Sequence, residues 1–79
     1  MDLTVRFTDE VMDFGADEGE LRVLFRHQAG QYRLPTEQQG FSALVAILSE
    51  AWRTRQPIEV TVLGTRILKV AEPVSGSPQ

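Results

Sequence analysis

Cysteine is absent from this chain, and histidine occurs once. The first absence removes disulfide staples, thiolate metal sites and a cysteine nucleophile. The second leaves His27 as the one imidazole that could act as a base near neutral pH. Long apolar runs are missing as well. No segment approaches the roughly 20 residues of a membrane-spanning helix, and Met1-Asp2-Leu3-Thr4-Val5-Arg6 lacks the basic start and apolar run of a signal peptide. These absences lead to the expectation of a soluble, unprocessed, cytoplasmic protein, because small secreted domains usually rely on disulfides. Positive charge is also scarce: eight Lys and Arg stand against eleven Asp and Glu, for a net charge of −3. A protein built to neutralise phosphates needs the opposite balance, so nucleic acid is an unlikely main partner.

What is present is a globular composition of 42% hydrophobic residues in a chain of 79. At that length folding buries only about 60 to 65% of the unfolded surface. One small core must suffice, and self-association is a natural further source of stability. Residues 1–72 are expected to form one domain. From Pro73 the chain turns to Pro, Ser, Gly and Gln, which gives 73–79 the composition of a flexible tail.

The charge is unevenly distributed. Residues 1–20 hold seven carboxylates against Arg6, whereas residues 21–35 hold Arg22, Arg26 and Arg33 and no acid. The two regions could pair within one subunit or between neighbours.

Apolar periodicity sets the expected elements. Leu3, Val5 and Phe7 alternate with Thr4, Arg6 and Thr8, as in a half-buried strand. The alternation slips around Asp9-Glu10 and resumes at Val11, Met12 and Phe14, which gives either one long bent strand or a hairpin. After a turn in Gly15 to Gly19, Leu21, Val23 and Phe25 form one face of a second strand, with Arg22, Leu24 and Arg26 on the other. Gln28 to Gln31 make a turn into a short third strand, Tyr32 to Leu34. Pro35 stops that ladder, and Thr36 with Gln39 has the spacing of a capping box. A helix is therefore expected from Thr36 to Arg55, its first turn beginning between Thr36 and Phe41 because Gly40 weakens it. Phe41, Leu44, Val45, Ile47, Leu48, Ala51 and Trp52 fall on one broad arc, wider than a single sheet needs. Pro57 ends the helix. Ile58, Val60 and Val62 mark a fourth strand, Leu63-Gly64-Thr65 a tight turn, and Arg66 to Ala71 a fifth.

Catalytic and metal-binding patterns are missing. His27 is in phase with Leu21, Val23 and Phe25 and reads as a hydrogen-bonded rim residue. No serine occupies a Gly-x-Ser-x-Gly elbow. Asp13, Asp17, Glu18 and Glu20 gather near one turn without the spacing of an EF-hand loop. The glycine-containing turns match neither a P-loop nor a dinucleotide fingerprint. The expectation is a protein that is not an enzyme and uses no metal or cofactor.

The order βββαββ resembles the oligonucleotide/oligosaccharide-binding (OB) fold, a five-stranded Greek-key barrel. The resemblance rests on the slip at Asp9-Glu10, the Gln28 to Gln31 hairpin, the helix from Pro35-Thr36 to Arg55 and the hairpin about Leu63-Gly64-Thr65. Ala43 to Ala51 leading into Pro57-Ile58-Glu59-Val60-Thr61-Val62 is similar to the small barrel of AB5 toxin B subunits, which form rings of five. That likeness implies a mainly β barrel with one helix that self-associates, in a ring, as a binding or scaffold module. Trp52 and Val45 on the helix arc, and Arg22, Arg26 and Arg33 facing the acidic segment, are the expected assembly surface. The alternative is a monomer that binds single-stranded nucleic acid or a glycan through Arg22, Arg26, Arg33 and Tyr32.

Overall fold

The computed structural model describes residues 3–71. The expected tail, 73–79, lies outside the described residues. Six strands and one helix follow in the order β1 (Thr4–Asp9), β2 (Val11–Asp17), β3 (Glu20–Phe25), β4 (Tyr32–Pro35), α1 (Phe41–Thr54), β5 (Ile58–Leu63) and β6 (Arg66–Ala71). They make one sheet in the order β1-β5-β6-β4-β3-β2. Every neighbouring pair is antiparallel except β4 and β6, which run parallel.

The expected five-stranded closed barrel is corrected to a six-stranded sheet with two edges, β1 and β2. The cause is local. At the slip the Asp9 carboxylate accepts the Glu10 N–H at 2.7 Å and the His27 N–H at 2.7 Å. The Glu10 carbonyl accepts the Arg26 N–H at 3.0 Å. These bonds hold the chain in a corner and split the long first strand in two. A single residue thus joins strands that lie at opposite edges of the sheet.

β2 carries a bulge between Val11 and Asp13. It then continues through the expected turn, so the hairpin loop shrinks to Glu18-Gly19, with Gly19 at φ 67°. That positive φ is a conformation glycine adopts without steric cost.

The helix is shorter than its pattern implies, and Thr36 does not cap it. The Thr36 N–H and hydroxyl both donate to the Gly19 carbonyl, at 3.0 and 3.2 Å, which ties the segment after β4 to the β2–β3 hairpin. The capping position falls to Gly40 at φ 80°, with no side-chain cap. At the other end Arg55 adopts φ 60° and its N–H donates to the Ala51 carbonyl, an αL stop just before Pro57.

The core is apolar and drawn from both layers. Val11, Val23, Leu34, Ile58, Val60 and Ile67 from the sheet are fully buried with Leu48 from the helix. Phe7, Phe14, Tyr32, Phe41, Val45 and Ile47 pack around them. The alternation expected of β3 is present: Leu21, Val23 and Phe25 are buried and Arg22 and Leu24 exposed. In β1 the expected half-buried face is covered only towards its C-terminal end: Phe7 packs on the core, whereas Val5 is 58% exposed and Leu3, just before the strand, 67%. The helix packs chiefly on β2, at the opposite end of the sheet order from β1, and on β6, two strands from it.

Candidate functional site

Two of the three arginines expected to form a contact row are engaged within the chain. Arg22 and Arg33 stand opposite each other on β3 and β4. Glu20 lies between them, 3.9 Å from Arg22 and 3.5 Å from Arg33. Arg22 also meets the Asp17 carboxylate at 2.6 Å and donates to the Gln31 side chain at 2.9 Å. Arg33 Nε donates to the Thr65 hydroxyl at 3.3 Å. The acidic and basic segments therefore pair inside one molecule. Arg26 is exposed and has no ion pair among the described residues.

Tyr32 does not join that row. Its ring lies 5.6 Å from Phe7 and 5.5 Å from Phe25, and the two phenylalanines meet edge to face at 5.2 Å. Val45 packs against the core. Trp52 is 39% exposed but anchored over β2: its ring meets Phe14 edge to face at 5.0 Å and its Nε1–H donates to the Met12 carbonyl at 3.2 Å. The bulge frees that carbonyl for the indole.

Asp9, the buried charged residue among the described residues, pairs with exposed His27. The Asp9 side chain has no accessible surface, while that of His27 is 72% exposed. His27 Nδ1 lies 2.9 Å from Asp9 Oδ1. Burial alone would raise the Asp9 pKa; the hydrogen bonds from the His27 ring, the His27 N–H and the Glu10 N–H outweigh it and hold the carboxyl below its ordinary 3.8. An ionised acceptor requires the proton on Nδ1, which leaves Nε2 turned away from Asp9. Sequence reasoning located the slip here but missed the buried carboxylate. An aspartate in phase with Val5 and Phe7 was the available signal.

Two features of the surface stand out among the described residues. The first is the β1 edge, where Leu3 and Val5 stand exposed on the face that Phe7 shares with the core, Val5 directly opposite buried Val62. The second is an open groove of about 450 Å³ beside β2, lined by Asp13, Gly15, Asp17, Arg22, Leu24 and Gln31 among others. Gly15 leaves open space there, with nothing within 4 Å of where its Cβ would stand. No helix of the described residues is long and apolar enough to cross a membrane.

No family model and no curated protein matches the sequence. Among solved structures, the crystal structure of pro- protein-glutaminase matches with a TM-score of 0.82 at 16% identity, over 94% of this chain and 27% of that one. Such a likeness shows a shared fold, and the chain spans about a quarter of its neighbour's length. It also corrects one expectation. The fold occurs within the chain of an enzyme, so the sequence-based exclusion of an enzyme no longer stands. The reacting groups of an enzyme can lie outside a module that its chain contains.

Proposed function

We propose that the chain is an interaction module with an OB-like barrel plan that self-associates by strand addition at the β1 edge. Counted as one strand bent at Glu10, β1 and β2 reduce the sheet to five strands whose bent member borders both ends of the order. This supports a partly open Greek-key barrel. The observation that carries the functional reading is the exposed Val5 side chain on a strand with a single neighbour in the sheet, with exposed Leu3 just before it. An uncovered strand presents unpaired N–H and C=O groups together with a row of alternate side chains, the elements of recognition by an added strand. A second copy supplies an identical edge, and antiparallel pairing of the two β1 strands buries both apolar rows symmetrically.

Light scattering tests this. Wild type is expected above 8.9 kDa at micromolar concentration and Val5→Lys at 8.9 kDa with an unchanged circular dichroism spectrum. A wild-type mass of 8.9 kDa across the concentration range would overturn it.

A second reading is favoured by the fold shared with part of pro- protein-glutaminase. Here the module lies against an enzyme instead of a copy of itself. A monomer that saturably alters the rate at which a protein glutaminase releases ammonia is its expected outcome.

A further inference from the structure

We infer that the groove beside β2 binds an extended peptide segment carrying a basic side chain, which adds to the sheet at this edge. The site is separate from the β1 edge and stands on its own observations.

The backbone comes first. Asp17 and Glu20 close a two-residue loop, and β2 keeps a regular register with β3 from Asp13 to Asp17. In an antiparallel pair the residues alternate between bonding the partner strand and facing away from it. The N–H and C=O of Ala16 and Phe14 therefore point outward, to the side where β2 has no neighbour. The Phe14 N–H turns to the Asp13 carboxylate at 2.9 Å, as an outward donor would.

The side chains define the occupant. Asp13, Gly15 and Asp17 share the outer face with Arg22 and Leu24. Gly15 has an ordinary strand φ and open space above its Cα. It is a notch between two carboxylates, with Leu24 beside it to receive an aliphatic stem. Arg22 is committed to Asp17, Glu20 and Gln31. Asp13 has no cation within reach among the described residues. The complement of this surface is a long side chain with an apolar stem and a positive end.

The two requirements are coupled. A cation that enters the notch draws the Asp13 carboxylate away from the Phe14 N–H, and that donor becomes free for a carbonyl of the incoming strand. A neutral or acidic peptide has no means of releasing it. Trp52, the sole tryptophan, packs on Phe14 and bonds Met12, so its emission reports on β2.

The probe is the synthetic peptide acetyl-Thr-Val-Arg-Val-Thr-amide, with the glutamate peptide acetyl-Thr-Val-Glu-Val-Thr-amide as control, titrated into the full chain. The arginine peptide is expected to shift tryptophan emission and the amide resonances of residues 14–17, and the glutamate peptide to leave both unchanged. Gly15→Val fills the notch without a clash or a forbidden φ, so it folds and weakens the arginine peptide by at least about tenfold. Asp13→Asn keeps an acceptor for Phe14 but removes the charge, and weakens it similarly. Equal binding of the two peptides, unaltered binding by Gly15→Val, or shifts confined to Thr4–Thr8 of β1 would each overturn the inference.

Discussion

A carboxylate without accessible surface makes the corner between β1 and β2. Asp9 satisfies the His27 and Glu10 backbone donors and the His27 ring at once. Asp9→Asn keeps the volume but can no longer accept from all three, and a buried donor left unsatisfied costs about 1–3 kcal/mol. The loss is pH-dependent in a defined direction. Because the folded-state pKa lies below 3.8, the contribution of Asp9 is complete above that value and disappears as pH falls from 3.8 through the folded-state pKa. Denaturant midpoints are therefore expected to differ between wild type and Asp9→Asn at pH 7, and to draw together as pH falls below 3.8 through the folded-state pKa of Asp9. A gap that widens on acidification would contradict the assignment.

At the scale of elements, the turns are set by backbone conformation more than by contact. Gly64 opens the β5–β6 loop at φ 63°, and Gly15 lies within β2 at an ordinary φ. Neither has an atom within 4 Å of an added Cβ. The two positions thus differ in conformation alone. Gly64→Ala is expected to lose about 1 kcal/mol through the left-handed backbone, whereas Gly15→Ala is expected to be neutral or to gain up to about 1 kcal/mol through a less flexible unfolded chain. Thermal midpoints of the two variants check this, and equal shifts would refute it. Helix α1 depends on burial instead. Leu44, Leu48 and Ala51 are buried although the N-terminus has no side-chain cap. Tertiary packing holds this helix in place of local capping. Gln38 anchors the approach by donating to the Ile67 carbonyl at 2.9 Å.

For the whole molecule, the opposed charges of the N-terminal and central segments matter less to assembly than the sequence implies. Arg22 and Arg33 are already paired with Asp17 and Glu20 in the same chain. Such half-exposed pairs contribute about 0.2–1 kcal/mol each and are screened by salt. The mass of any oligomer is accordingly expected to stay constant between low and high salt, since the β1 edge offers Leu3 and Val5. A mass that falls at high salt would return the interface to the charged rows. The arginine row also loses force as a phosphate reader, because two of its three cations are engaged within the chain.

The elements themselves were legible in the sequence. Period-two alternation located Leu21 to Phe25 and Ile58 to Val62, the turn at Leu63-Gly64-Thr65 located the return strand Arg66 to Ala71, and the arc of Leu44, Leu48 and Ala51 located the buried face of the helix. These are properties of neighbouring residues, which pleat and helical pitch impose directly. Long-range partners were not legible. Thr36 spends its hydroxyl on Gly19 rather than on the helix, Trp52 bonds Met12 across the fold, and the carboxylates of Asp9 and Glu20 are claimed by residues that only folding brings near. Spacing along a chain fixes which side chains share a face. Which strands stay unpaired, and so which edges can receive another protein, depends on the order of strands in the sheet, and that was decided by the tertiary structure alone.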